Sequence, residues 1–285
     1  MQLGYSNKEV KSTWEQYEDY VSKYLEKVKP TVLAYDCYTI TRPNYTVDKV
    51  NDNGTVGKYI KSLSLMSSIQ KEKNIPFWVT VASHDHIASR GSIPIKQVQW
   101  VVNASLAFGA KGVQYYTYWN DGACKSDMNF WADQSTARSQ GLVSVNGALS
   151  DNYYRIQKIN KQIKLIDEVL LNAEHKGIMQ FGTQHVKLLQ KDVLYSFGKL
   201  KDISGDVFVG CFTYNGNDLY YVINNSVDLG VKTFKADFTE NVNLKLTSLT
   251  LVNDSNLSGQ ITKENVSSVG FNLAGSEAVL IEVVK

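Results

Sequence analysis

The sequence has few cysteines, few arginines and no long apolar run, and each shortage disfavours a class of function. Its three scattered cysteines show neither CxxC nor histidine-rich spacing, so they indicate no zinc site and no disulfide framework. The small number of arginines disfavours a site that holds phosphate through several contacts, because arginine is the usual residue for that role. The arginines are Arg42, Arg90, Arg138 and Arg155. Since no apolar stretch reaches the length of a transmembrane helix, we expect no membrane partner.

The charge balance is close to neutral and disfavours nucleic acid as a partner. The chain has 30 Lys and Arg against 28 Asp and Glu, a net charge of +2, and no basic cluster with interleaved aromatic residues. The first residues, "MQLGYSNKEVKSTW", contain no secretory apolar segment, so we expect a cytoplasmic location by default. No cofactor is implied.

Apolar strands alternate with amphipathic helices in the first part of the chain. Helices are predicted from residue 14, from residue 56 and from Pro94, and a fourth in "NYYRIQKINKQIKLIDEVLLNAE". The strands between them are "TVLAYDCY", "IPFWVTVAS" and "GVQYYTYW". This alternation predicts a parallel sheet. The continuous apolar run of the second strand predicts burial on both faces, with Trp78 and Trp100 in the core.

Beyond about residue 176 the pattern changes to alternating apolar and polar residues. "VLYSFGK", "VFVGCFTY", "DLYYVINN", "VKTFKADF", "NLKLTSLTLV" and "EAVLIEVV" are predicted strands, and "NGND" at 215–218 is a hairpin turn. We therefore predict an α/β domain over 1–175 and an antiparallel β-sandwich over 176–285. Because a complete (β/α)8 barrel takes about 250 residues, the first part is either a small open sheet or the closing part of such a barrel.

The ends of the three predicted strands carry the candidate site. In parallel sheets ligands bind at the carboxyl ends of the strands. A sugar ring suits such a rim, because aromatic side chains cover its C–H face and polar side chains bind its hydroxyl edge. The candidate catalytic carboxylates are Asp36 and Asp85. The candidate sugar-binding residues are Tyr38, His84, His86, Tyr118, Trp119 and Asn120.

Each candidate also has a purely structural interpretation. Trp119 would in that case plug the end of the sheet, and Asp36 would cap a turn. The histidines of "SHDH" would be solvent-exposed loop residues. A metal site at "HDH" is disfavoured, because no further ligand is evident.

Several of these stretches resemble a known enzyme family. "VKPTVLAYDCY", "IPFWVTVAS", "WVVNASLAFGAKGVQYYTYW" and "GLVSVNGALSDNYYRIQKINKQI" are similar to the closing strands of β-galactosidase-like glycoside hydrolases of the retaining (β/α)8 clan. The resemblance implies that the three strands are the sixth, seventh and eighth of the barrel, followed by an accessory β-domain. It also implies that Trp119 floors the sugar subsite and that Tyr38 lies near the nucleophile.

The same comparison leaves the catalytic pair incomplete. Retaining hydrolysis needs two carboxyl groups about 5–5.5 Å apart, yet no glutamate lies at a predicted strand end. Asp36 would act as general acid if burial among Tyr35, Tyr38 and Tyr118 raised its pKa. We expect a carbohydrate-active protein whose complete form hydrolyses O-glycosyl bonds. The alternatives are a non-catalytic carbohydrate-binding fragment, or a subunit that completes its barrel with an upstream segment, another chain or a second copy of itself.

Overall fold

The computed structural model describes most of the chain in ten segments. These are residues 14–37, 55–83, 94–119, 141–143, 147–183, 192–226, 230–249, 251–252, 256–257 and 259–284. Together they form a mixed α/β structure with a small parallel sheet and a larger, curled antiparallel sheet.

The first part is a three-stranded parallel sheet in the order β1-β2-β3. Its strands are β1 (Leu33–Asp36), β2 (Phe77–Ala82) and β3 (Gly112–Tyr116). The chain returns between them through α2 (Thr55–Lys73) and α3 (Ile95–Ala107), after an initial α1 (Trp14–Val28). The strands and helices predicted here from their periodicity are therefore present. Gly109 follows α3 with a φ of +92°, a conformation that glycine adopts easily at the end of a helix.

The fourth predicted helix is interrupted. It forms α4 (Asp151–Ile163) and a short α5 (Asp167–Asn172), and Ile166 turns into the core between them. The Ser150 side chain caps the start of α4 by accepting from the backbone N–H of Tyr153. The Lys111 ammonium group donates to three backbone carbonyls at the end of α5, those of Leu170, Leu171 and Ala173. No helix in the described segments is long and apolar enough to cross a membrane.

The second part is one seven-stranded antiparallel sheet. Its strands are β4 (Glu174–Phe181), β5 (Leu200–Ile203), β6 (Val207–Tyr214), β7 (Asn217–Asn224), β8 (Val231–Ser248), β11 (Gln260–Ala274) and β12 (Ala278–Val284). Two short strands, β9 (Leu251–Val252) and β10 (Asn256–Leu257), pair with each other. The hairpin predicted at "NGND" joins β6 to β7, with Asn215 and Gly216 at positive φ as a two-residue turn requires.

The antiparallel sheet curls because β8 is long. This strand has 18 residues; β11 pairs along one edge, while β5 and β12 pair with successive halves of the other edge. The inner face of the curl encloses an apolar cluster that includes Val209, Val222, Leu244 and Ile281. The predicted sandwich therefore takes the form of one curled sheet, and "VKTFKADF" and "NLKLTSLTLV" belong largely to a single strand. The sequence pattern does not predict β4, β5 or β11, and "VLYSFGK" forms only isolated bridges.

Helices α2 and α3 lie between the two sheets. On one side both contact β2; on the other, α2 contacts β4 and α3 contacts β6 and β7. Residues of α3 are buried from Gln97 to Ala107, which leaves the helix no solvent-exposed face over that length. Gly210 allows the close approach, since a Cβ at that position would lie 2.8 Å from the Cα of Ala107. The two sheets thus share one layer of helices.

Buried polar groups fix this helix layer against the antiparallel sheet. The Trp100 indole donates to Asn225 Oδ1 at 3.1 Å, and Asn103 both donates to the Ser276 carbonyl and accepts from the Tyr221 hydroxyl. The fully buried carboxylate of Asp192 accepts from two serine hydroxyls of α2 and pairs with an ammonium group of the same helix. The serines are Ser64 and Ser68, and the lysine is Lys71. Buried polar groups with partners fix one arrangement of the layers, because any other leaves them unpaired.

His175 makes this junction sensitive to acid. Its ring is buried, lies 3.0 Å from the Ser67 hydroxyl through Nδ1, and contacts the Phe212 ring edge-on. Burial, together with the positive charges of Lys71 and Lys111, lowers the pKa of His175 from 6.5 to about 3. The folded state therefore holds the imidazole neutral at pH values where the unfolded chain protonates it.

We expect the free energy of unfolding to fall as the pH falls from 6.5 towards 3. Above pH 6.5 His175 is mainly neutral in both the folded and the unfolded state, so its protonation costs the fold nothing. Between pH 6.5 and pH 5 only the unfolded chain is protonated, which lowers the free energy of unfolding by about 2 kcal/mol. Urea denaturation across this range measures the slope. His175→Gln, which cannot titrate, should give a flatter profile even if its stability at pH 7 is lower. Equal slopes for the two proteins would contradict this assignment.

Candidate functional site

One face of the parallel sheet is covered by helices and the other is open. Tyr35, Phe77 and Val79 point towards the helices and are buried. The residues that alternate with them lie on the opposite face, here called the open face. The open face consists of Ala34, Asp36, Trp78, Thr80, Ala82, Gly112, Gln114 and Tyr116.

Trp78 contradicts the prediction that β2 is buried on both faces. Its side chain is 38 % exposed on the open face, whereas Trp100 is fully buried, as predicted. Trp78 lies beside Gly112 in the register, and a Cβ on Gly112 would lie 2.7 Å from the indole Cδ1. The glycine therefore gives the indole room to lie across β3. An apolar run alone does not reveal this, because it predicts strand burial without showing which faces are covered.

A polar row crosses the middle of the open face. Asp36 lies opposite Thr80, which lies opposite Gln114, and the Thr80 hydroxyl donates to Gln114 Oε1 at 3.3 Å. The Asp36 carboxyl group is half-buried, whereas Tyr35 is buried on the other face of the same strand. Tyr35 therefore lies on the opposite face from Asp36 and does not surround it, contrary to the expectation from the sequence.

Aromatic side chains follow β3 at its carboxyl end and remain exposed. Tyr116, Tyr118 and Trp119 are 50 %, 61 % and 51 % exposed, and the peptide bond between Tyr116 and Thr117 is cis. The backbone here is held on both sides. Ser83 N–H donates to the Tyr116 carbonyl, and Val143 N–H donates to the Tyr118 carbonyl. The segment is thus fixed by main-chain bonds while its side chains face solvent.

Trp119 has an apolar neighbour on its own surface. It bridges to Val143, which bridges in turn to Leu149. Residues paired in this way present their side chains on one face, and both Trp119 and Leu149 are exposed. Val143 between them is buried, so Trp119 is an exposed residue beside a buried one and not a buried plug.

The structure places three of the sequence-predicted site residues at the same edge of the parallel sheet. Asp36 ends β1, while Tyr118 and Trp119 follow β3. The other predicted residues lie outside the described residues: Tyr38, His84, Asp85, His86 and Asn120. Sequence reasoning missed Trp78, Thr80 and Gln114, although the polar Thr80 within an apolar run was a signal that one face of β2 is open.

The acidic and metal-binding groups of the described chain are sparse at this edge. Asp36 is the one carboxylate in the three parallel strands. Among the described residues, no three His, Cys, Asp or Glu side chains form a group that would hold a metal ion. The described open face therefore offers aromatic surface, neutral polar groups and a single carboxylate.

Comparisons with known proteins yield distant structural similarity only. No family model and no curated protein matches the sequence. Several solved structures that resemble the chain are glycoside hydrolases. A putative α-galactosidase from Bacteroides fragilis has a TM-score of 0.43 and 11 % identity, over 95 % of this chain and 46 % of that one.

Two further structures have similarly low TM-scores and sequence identities. An Anoxybacillus α-amylase has a TM-score of 0.42 and 11 % identity, over 95 % of this chain and 56 % of that one. An endoxylanase from Clostridium papyrosolvens has a TM-score of 0.37 and 10 % identity, over 78 % of this chain and 46 % of that one. The chain spans about half the length of these three structures. Likeness at this level assigns no activity to it.

The contact between Trp78 and Gly112 predicts that an alanine destabilises the protein at position 112 but not at position 230. Gly112→Ala should push the indole away from β3 and destabilise the protein by about 1–3 kcal/mol, as overpacking usually does. Gly230→Ala is the matched control, because a Cβ there meets nothing within 4 Å. Urea denaturation and acrylamide quenching of tryptophan fluorescence measure the two effects. If both variants behave like the wild type, the placement of Trp78 is wrong.

Proposed function

We propose that the chain is a carbohydrate-active protein related to glycoside hydrolases, and that it binds a sugar at the carboxyl edge of the open face. The observation that supports this most is the run of exposed aromatic side chains, Tyr116, Tyr118 and Trp119, at the edge of the parallel sheet where β1 ends in Asp36. Large exposed apolar groups grouped on a protein surface are typical of binding surfaces.

The chemistry of the surface suits a sugar better than an apolar or an ionic ligand. Aromatic rings pack against the C–H face of a pyranose, while carboxylate, hydroxyl and amide groups bind its hydroxyls. Asp36, Thr80 and Gln114 supply these polar groups in one row. An apolar ligand would leave that row unpaired, and an anion would be repelled by the carboxylate.

We further propose that β1, β2 and β3 are the last three strands of a (β/α)8 barrel, with the antiparallel sheet from about residue 176 as an accessory domain. The parallel strand order and the helices on a single face support this. Parallel sheets are almost always covered on both faces. Further strands, from an upstream segment or another chain, would enclose the open face as the interior of a barrel.

Hydrolysis of O-glycosyl bonds, with β-galactosidase-like specificity, is the activity proposed for the complete enzyme. In that form Asp36 and Asp85 are the candidate carboxylates, while Tyr38, His84, His86 and Asn120 would position the sugar. The second candidate function is sugar binding without turnover. It is favoured by the single carboxylate in β1, β2 and β3, since retaining hydrolysis requires two.

Sugar binding is tested by comparing exposed aromatic residues at two places. Trp119→Ala and Tyr118→Ala should each weaken oligosaccharide binding about tenfold, a loss of about 1.4 kcal/mol, because a stacking surface is removed. Tyr195→Ala is the matched control, an exposed tyrosine in the antiparallel part. Isothermal titration with galacto-, xylo- and malto-oligosaccharides measures the dissociation constants. Equal losses of affinity in Tyr118→Ala, Trp119→Ala and Tyr195→Ala would refute the proposal. Failure of the wild type to bind any of the three oligosaccharide classes would also refute it.

Turnover is tested separately with aryl-β-glycosides. If the chain hydrolyses them, Asp36→Asn should lower kcat by at least about a hundredfold while leaving binding largely intact. Unchanged turnover in that variant removes Asp36 from the mechanism. Sugar binding with no turnover in the wild type selects the non-catalytic alternative.

A further inference from the structure

A polar cavity lies in the antiparallel part of the chain. Its volume is about 250 Å³. Three short stretches line it: residues 204–206 before β6, residues 224–226 at the end of β7, and residues 232–234 near the start of β8. Most of these residues carry polar side chains, although Asn224, Asn225 and Ser226 are themselves buried.

The two asparagines present fixed and opposite hydrogen-bonding groups. The Trp100 indole, which can only donate, bonds to Asn225 Oδ1 and so orients the Asn225 amide with its Nδ2 group turned the other way. Asn224 Nδ2 donates to the Leu273 carbonyl at 3.3 Å, which leaves Asn224 Oδ1 as the acceptor. One donor and one acceptor are thereby held in place by bonds to the rest of the fold.

One wall of the cavity is apolar and closely fitted. Phe234 is buried, and its ring stacks on Phe271 at 5.9 Å between centroids. Gly205 has a φ of +89°, and a Cβ there would lie 3.0 Å from Phe234 Cε1. A glycine is therefore needed for this turn to lie against the ring.

The charged groups of the lining balance each other. Asp206 and Lys232 contribute one charge of each sign. The Asp206 carboxylate also accepts from the backbone N–H and the hydroxyl of Thr183, so it is committed in part to the fold. A lining with no net charge favours neither an anion nor a cation.

We propose that this cavity binds a small neutral polyol of the size of one sugar residue. The fixed amide groups pair with hydroxyls, the hydroxyl-bearing rim supplies further donors and acceptors, and the Phe234 wall covers a C–H surface. The volume limits the ligand to a single ring. This site is separate from the open face and does not depend on the function proposed for it.

The experiment places a large side chain at the edge of the cavity. Lys232 is exposed, lines the cavity and lies on the same face of β8 as Phe234. Lys232→Tyr therefore puts a large side chain beside the cavity, whereas Lys235→Tyr makes the same change outside the lining. Both changes are at exposed positions, so both variants are expected to fold. Circular dichroism verifies this before binding is measured.

Binding is measured by isothermal titration and by tryptophan fluorescence, with D-glucose, D-galactose, D-xylose and inorganic phosphate as probes. Trp100 reports on the cavity because it bonds to Asn225. At least one sugar should bind in the millimolar range to the wild type and to Lys235→Tyr, and roughly tenfold more weakly to Lys232→Tyr. Phosphate should not bind.

A Trp119→Ala background separates the two sites. If the cavity binds the sugar, the binding that Lys232→Tyr weakens persists in Trp119→Ala. Loss of all sugar binding in Trp119→Ala would overturn the cavity proposal. Binding of phosphate alone, equal binding to the two tyrosine variants, or no sugar binding to the wild type would also overturn it.

Discussion

The burial of α2 and α3 on both sides is the constraint that determines the rest of this structure. The two helices are packed between the parallel and antiparallel sheets, and Trp100, Asn103 and His175 form hydrogen bonds that join this layer to the antiparallel part. Because the helices already cover one face of the parallel sheet, the opposite face is the one left open. The antiparallel sheet holds α2 and α3 against one face of the parallel sheet. The side chains of β1, β2 and β3 on the other face are therefore the ones left uncovered.

Both proposed binding sites follow from this arrangement. At the parallel sheet, it leaves Trp78 and the row of Asp36, Thr80 and Gln114 on the open face, at the edge where the aromatic residues follow β3. In the antiparallel part, the bond from Trp100 orients Asn225 in the wall of the polar cavity. The same helix, α3, therefore supports β2 on one side and holds a cavity residue on the other.

Much of the local structure was predictable, because it depends on local signals. Alternating apolar strands and amphipathic helices, the glycine after α3 and the Asn215-Gly216 hairpin depend on periodicity and backbone preference. The open face was not predictable, since a sequence run does not show whether a second layer covers both faces of a strand. The break between α4 and α5 was also missed, because it coincides with tertiary features: the burial of Ile166 and the contact of Lys111 with the end of α5. Within the candidate site, Asp36, Tyr118 and Trp119 were found because polar and aromatic residues end the strands, whereas Trp78 was assigned to the core.

Hydroxyl-radical labelling of the native chain, read by mass spectrometry of tryptophan peptides, tests the open face most directly. It compares Trp78 in β2 with Trp100 in α3, the helix that packs against β2. The two side chains differ in exposure, because Trp78 lies on the open face and Trp100 is buried. We expect rapid oxidation of Trp78 and Trp119, with Trp100 protected until the protein unfolds. Protection of Trp78 in the native chain, or oxidation of Trp100 at the same rate as Trp78, would show that the face described as open is covered.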